Sequence, residues 1–271
     1  MIDGNTRTVL VAADPVAHLR TPQALNEIWE AEGRDLITVP AQVTPHHLAD
    51  FVAGMRANAS VCGAVITVPH KQSIAALCDD LLPQATIVGA VNVVRRESDG
   101  TLVGETFDGL GFVHGLRSAG IDPTGMRVVI LGAGGAASAV AVALLEAGVR
   151  RLDVHNRTAS RAIDLADRLR GEHPDRDVGT GLGHLADADL VVNATSSGLN
   201  AADRSPLPGA AFPAAAIAAD VVISDRPTPF LAAAAGRGLR LHGGHHMLVG
   251  QIRLIADFLT GIPVHAEKGT K

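Results

Sequence analysis

The sequence predicts an α/β chain in two domains, and three observations carry that reading. The chain has 271 residues, more than one minimal core needs. Strand-like apolar runs alternate with helix-like periods along its length. A glycine-rich turn, Gly132-Ala133-Gly134-Gly135-Ala136, falls mid-chain, so about a hundred residues of separate α/β sequence precede it.

The elements read in order as follows. Residues 8–12 form a short apolar strand. Thr21-Pro22 then opens a helix, with Thr21 as N-cap and the proline at the first helical position. Residues 36–40 form a second strand, and Thr44-Pro45 repeats the helix-start signal for a helix running to about Ala57. Residues 63–68 form a third strand that Pro69 stops, followed by a helix from Lys71 to about Leu77. Residues 88–94 and 101–105 read as a hairpin around Ser98-Asp99-Gly100. Beyond it, strands at 126–131, 151–155, 190–194 and 218–222 alternate with helical stretches, as in a doubly wound sheet. A final helix over 247–259 has apolar spacing at Leu248, Ile252, Ile255 and Leu259.

The glycine turn joins the apolar strand 126–131 to an alanine-rich helix over 137–147. This order suits a dinucleotide pyrophosphate: the glycines let the backbone approach, and the helix N-terminus offers N–H groups to negative charge. Glycine turns also serve plain packing, so the next strand's exit matters. A site for NAD usually places an acid there to hold the ribose 2′-hydroxyl. Here the exit is Asn156-Arg157-Thr158, with Arg161 a helical turn later. Guanidinium groups suit a 2′-phosphate. The cofactor predicted is NADP.

Composition excludes several classes. A net charge of −5 gives no general attraction to nucleic acid or anionic membrane. The apolar runs are too short to span a bilayer, and the N-terminus lacks a signal-peptide pattern. Cys62 and Cys78 form no metal or redox spacing, which fits reduced thiols in a cytoplasmic protein. The chain has no tyrosine, which excludes proton donation by a tyrosine.

Lys71 follows Val68-Pro69-His70 at a strand end, where α/β domains face ligands. It is either a solvated lysine or a partly desolvated proton carrier. Asp108 stands at the domain junction, as a helix cap or as a carboxylate that pairs with a lysine and orients a hydroxyl. Thr67, Asn92 and Gln251 are polar residues in apolar surroundings and need partners if buried; a polyhydroxylated ligand would serve. His46 and His47 read as a solvated face, and His18 and His70 as packed, hydrogen-bonded residues. His245 and His246 are candidates for contact with substrate or cofactor. They lack the companions of a metal site, and no metal is predicted.

The motifs Val65-Ile66-Thr67-Val68-Pro69-His70-Lys71, Gly89-Ala90-Val91-Asn92, Asp108-Gly109, the glycine turn, Asn156-Arg157-Thr158, Asn193-Ala194-Thr195-Ser196-Ser197-Gly198, Thr228-Pro229-Phe230-Leu231 and Met247-Leu248-Val249-Gly250-Gln251 occur in one order. In that order the chain resembles the shikimate dehydrogenases. The resemblance implies an N-terminal α/β substrate domain, 1–107, joined by returning C-terminal helices, 244–271, and a C-terminal Rossmann-type NADP-binding domain, 108–243. It implies reversible hydride transfer between NADP and a ring carbinol or ketone, with Lys71 and Asp108 as the catalytic pair. It implies that Thr67, Asn92, Asp108 and Gln251 hold ring hydroxyls. It also implies cofactor contacts at Gly132, Ala133, Gly134, Gly135, Ala136, Asn156, Arg157, Thr158, Arg161, Thr195, Val221 and Gly244.

The pattern breaks on the carboxylate side of the substrate. The family's Ser-x-Ser-Pro turn reads Leu19-Arg20-Thr21-Pro22, where only Thr21 keeps a hydroxyl. Val65 and Phe107 replace polar family residues, and Ile223 stands in place of a tyrosine. Each hydrogen bond to a charged group contributes roughly 1.5–3 kcal/mol, so two lost donors cost roughly two to four decades in affinity. The substrate expected is a small polyhydroxylated molecule with vicinal oxygens and a weaker need for a carboxylate: shikimate/3-dehydroshikimate, quinate or another cyclic polyol. The enzyme is expected to be a monomer or homodimer. A competing reading is a sensor that binds NADP without turnover.

Overall fold

The computed structural model describes residues 2–17, 19–200 and 202–262, so His18 lies outside the described residues. The described residues fall into two compact units, one drawn from Met1–Thr86, Ala90–Phe107 and Ile252–Lys271, the other from Ile87–Gly89 and Asp108–Gln251.

The first unit carries β1 (Arg7–Ala13), α1 (Thr21–Ala31), β2 (Leu36–Gln42), α2 (Leu48–Ala57), β3 (Val61–Ile66), β4 (Asp80–Leu81), the start of α3 (Pro83–Val88), β5 (Val93–Arg96) and β6 (Leu102–Glu105). Its sheet runs β2-β1-β3-β5-β6-β4. β1 is parallel to both β2 and β3, while β5 is antiparallel to β3 and β6. Strand β3 is buried along its whole length, which matches its unbroken apolar run. Val52, Met55, Ile66, Ile74, Val94 and Leu102 belong to one core cluster. Helix α1 is tied to β2 by polar contacts beneath it: Trp29 Nε1 donates to Thr38 Oγ1 at 2.8 Å, and Thr38 N donates to Asn26 Oδ1 at 2.7 Å.

Three local expectations need correction. Thr21 is the first helical residue rather than the cap, because the Arg20 carbonyl already accepts from Ala24 N at 3.2 Å. No helix forms from Lys71 to Leu77; turns lead to a single 3₁₀ turn, Ala75–Leu77. So short a segment does not repay helix nucleation. The hairpin starts only at Val93, because residues 83–88 form α3 and Gly89 ends it at φ 68°. Glu105 holds the start of α3, its Oε1 accepting from Ala85 N at 2.8 Å.

The second unit carries α4 (Asp108–Ser118), β7 (Arg127–Leu131), α5 (Gly135–Glu146), β8 (Arg151–His155), α6 (Ala159–Glu172), β9 (Asp177–Thr180), β10 (Leu190–Asn193), β11 (Ile217–Asp220), α7 (Pro229–Ala235), β12 (Arg240–His242) and the start of α8 (His245–Leu259). Its strands are all parallel, in the order β12-β11-β10-β7-β8-β9. Order reverses between β7 and β10, the place where a doubly wound sheet opens a ligand crevice. Helix α5 is apolar on every side and buried, as a helix enclosed by other elements must be. Glycine lets α4 lie close: a Cβ at Gly109 would stand 2.2 Å from the Ala139 carbonyl oxygen of α5. Among the described residues no helix is long and apolar enough to cross a membrane.

Candidate functional site

In the second unit, the sequence-predicted cofactor residues leave one edge of the sheet. His155, Leu131, Asn193 and Asp220 stand in register across β8, β7, β10 and β11. The residues that follow them are Asn156, Gly132, Ala194 and Val221. Thus Asn156-Arg157-Thr158, the glycine turn, Thr195 and Val221 all lie at the carboxyl ends of adjacent strands. Gly132 takes φ 119°, and a Cβ there would stand 2.7 Å from the Ala194 carbonyl oxygen. Only glycine fits that turn. Gly134 precedes α5, and open space surrounds its missing Cβ. Gly135 and Ala136 form the first turn of α5, whose N–H groups lack intrahelical partners. This is the cradle a pyrophosphate needs. Arg157, Thr158 and Arg161 are exposed, and Asn156 Nδ2 donates to the Thr158 carbonyl at 2.9 Å, which shapes their loop. Gly244 packs against the same edge: a Cβ there would stand 2.5 Å from the Val222 carbonyl oxygen.

Beneath the exits of β10 and β11 lies a buried polar network that the sequence reading did not identify as one. Asn193 and Asp220 are wholly buried, and Thr228 nearly so. The Asp220 carboxylate accepts from Thr228 Oγ1 at 2.5 Å and from Asn193 Nδ2 at 3.1 Å. An acid inside the apolar run 218–222 was the available signal, since a buried charge requires partners.

His242 ends β12, buried, with neither ring nitrogen hydrogen-bonded. It stacks on His246 with ring centroids 4.4 Å apart and meets Phe112 edge-on. Burial first, then the charges of His246 and Arg240, push its pKa down to about 4. His245 Nε2 lies 3.1 Å from the Ser224 carbonyl. Asp108 is buried as the first residue of α4. Gln251 is buried on α8, where Gly111 makes room for it: a Cβ at Gly111 would stand 2.6 Å from Gln251 Cβ.

In the first unit, Thr67, Lys71 and Asn92 gather at the carboxyl end of β3. Thr67 N donates to the Ala12 carbonyl at 3.0 Å, Val91 N to the Lys71 carbonyl at 2.8 Å, and Ile66 N to the Asn92 carbonyl at 2.7 Å. Asn92 is buried, and its Oδ1 accepts from Phe107 N at 3.0 Å, so part of its polarity fixes the chain just before Asp108. Thr21 opens α1 after the parallel strand β1, on the same edge of the sheet. His70 is buried with Nε2 2.7 Å from the Val43 carbonyl, a packed histidine as expected. Val65 is buried within β3, Leu19 is partly exposed, and Phe107 packs edge-on against Phe258.

Comparison with known proteins decides the family. Residues 11–94 match the shikimate dehydrogenase substrate binding domain, and residues 117–222 match the shikimate / quinate 5-dehydrogenase domain. A shikimate dehydrogenase (NADP(+)) of Rubrobacter xylanophilus is 41% identical over 254 residues, covering 92% of this chain and 89% of that protein.

The chain belongs to the shikimate dehydrogenase family.

Family likeness extends to the whole fold. The shikimate 5-dehydrogenase of Thermus thermophilus, solved in complex with NADP(H) and shikimate, superposes with a TM-score of 0.82 at 33% identity and covers 94% of each chain. A ligand-free 5-ketofructose reductase from a Gluconobacter strain superposes with a TM-score of 0.78 at 29% identity, covering 97% of this chain and 96% of that one. Structural neighbours of this chain are thus named for more than one substrate.

Proposed function

We propose that this chain is an NADP-dependent dehydrogenase that interconverts a ring carbinol and its ketone, on shikimate/3-dehydroshikimate or a related cyclic polyol. The observation that carries the reading is the glycine turn at the strand-order reversal of a parallel sheet, with Arg157 and Arg161 on the next exit loop. Gly132, Ala133, Gly134, Gly135 and Ala136 hold the pyrophosphate, and Arg157 and Arg161 pair with the 2′-phosphate. Thr195, Val221 and Gly244 complete the cofactor site. When bound, NADP supplies the hydride acceptor.

Lys71 carries the proton. Its amine takes the hydroxyl proton as the carbinol is oxidised and returns it in the reverse direction. Asp108 orients that hydroxyl and balances the lysine charge. Thr21, Thr67, Asn92 and Gln251 hold the remaining oxygens. Leu19, Val65 and Ile223 supply no hydrogen-bond donor from their side chains, which favours a substrate with less need of a carboxylate than shikimate itself. The structural neighbour named for reduction of 5-ketofructose, an uncharged sugar, supports that choice. We infer a cytoplasmic enzyme, monomeric or homodimeric, with small-molecule ligands and neither nucleic acid nor membrane as partner.

The test offers NADP with shikimate, quinate and uncharged cyclic polyols, and follows the reduced cofactor. Turnover of at least one compound is expected, with a greater loss of kcat/KM on removing the carboxylate in the Thermus relative than here. Lys71→Ala should abolish it. NADP binding without turnover across the panel would favour the sensor instead. Arg157→Ala should weaken NADP by about ten- to a hundredfold and NAD far less; equal loss would refute the role given to that loop.

A further inference from the structure

Asp220 ends β11 with its side chain fully enclosed. A valine or isoleucine would pack there at far lower desolvation cost. The carboxylate instead gathers donors: Thr228 Oγ1 at 2.5 Å, Asn193 Nδ2 at 3.1 Å from each oxygen, and Val222 N at 2.9 Å. Asn193 passes the restraint on. Its Oδ1 accepts from Thr195 N at 3.1 Å and Thr195 Oγ1 at 2.7 Å, and its Nδ2 donates to the Ser197 carbonyl at 3.1 Å. Thr195 Oγ1 then accepts from Ser197 N at 3.0 Å. Through at most one further side chain, then, a single carboxylate restrains the backbone of Thr195, Ser197 and Val222.

Those backbones are the two loops that leave β10 and β11. They lie across the strand-order reversal from β8, whose exit carries Arg157. In a doubly wound sheet each half takes one mononucleotide. The adenosine side of NADP belongs to β8, so the β10–β11 side receives the nicotinamide. We propose that Asp220, held by Thr228, is a positioning residue for the nicotinamide half of the cofactor, acting through Asn193 on the loop 194–198 and directly on Val222. The inference rests on the reading of the chain as an NADP-dependent dehydrogenase. As arranged, Thr228, Asn193 and Val222 each donate to the carboxyl, so amidation sets a donor against that group, while burial pushes the Asp220 pKa up.

The test separates the two halves of the cofactor. 2′,5′-ADP carries only the adenosine half and its 2′-phosphate; NADPH carries both, and its nicotinamide emission changes on binding. Calorimetry and fluorescence are run on the wild type, Asp220→Asn, Thr228→Val and Thr228→Ser. Asp220→Asn should bind 2′,5′-ADP within about twofold of the wild type. It should bind NADPH about tenfold more weakly and lose the wild-type emission change. Thr228→Val should show the same pattern more weakly, and Thr228→Ser, which keeps the hydroxyl, should restore wild-type behaviour. Unchanged NADPH affinity and emission in Asp220→Asn would overturn the proposal. Parallel loss of 2′,5′-ADP and NADPH would also overturn it, by reducing Asp220 to a structural role. Should Asp220→Asn fail to fold, an unchanged Thr228→Val decides against the proposal and a selective NADPH loss decides for it. A wild type that binds neither ligand would sink the dehydrogenase reading itself, a separate result.

Discussion

His242 links a single ring to acid stability. Its folded-state pKa of about 4 lies below the ordinary 6.5, chiefly because burial disfavours the charged form. The unfolded chain therefore takes up the proton first as pH falls. Stability from this residue is complete above about pH 6.5 and is lost as pH drops from there towards about 4. His242→Phe removes the titration and keeps an aromatic ring against Phe112 and His246. Urea midpoints measured across that range should fall less steeply in the variant; identical slopes would show that other groups govern the acid limb. At this scale the sequence is uneven. Asn92 and Gln251 announce themselves as polar residues in apolar runs, and both are buried. Asp220 obeys the same rule, yet beside Val221 and Val222 it reads as strand. His242 is unreadable because its neighbours in space, Phe112 and His246, come from two different helices.

Elements divide by how their boundaries are encoded. The second unit's inner strands β7, β8, β10 and β11 are legible because burial leaves apolar runs, whereas the edge strands β9 and β12, short and partly exposed, are not. The glycine turn is legible because strand, glycines and helix follow one another directly. Helix α3 is not, since Val88-Gly89-Ala90-Val91 looks β-branched while Gly89 is in fact left-handed. Helix packing yields a paired prediction. Gly109→Ala drives a methyl into the Ala139 carbonyl and should cost about 3 kcal/mol, the upper end of overpacking. Gly134→Val meets open space and should leave the melting temperature nearly unchanged. It should nonetheless weaken NADP, because the new side chain occupies the approach to the α5 N-terminus. Calorimetric melts together with cofactor titrations check both; a stable Gly109→Ala would mean that the two helices part easily.

At the scale of the whole chain, each unit has its own sheet and its own hydrophobic cluster. Separate clusters in the two units, among the described residues, give no reason to expect a single two-state transition. A ligand held by one unit stabilises that unit by mass action, about 2.7 kcal/mol at a hundred times its Kd. Added NADP should thus delay the far-ultraviolet circular dichroism transition while leaving the tryptophan signal where it was. Coincident shifts in the two signals would mean that the units melt together. The measurement is possible because of Trp29. With one indole and no phenol in the sequence, all useful near-ultraviolet emission originates beneath α1, and the Rossmann unit is spectroscopically dark. A Trp29→Phe background with one indole placed at an exposed site such as Ile163 would light that unit alone, giving each half of the protein its own optical reporter.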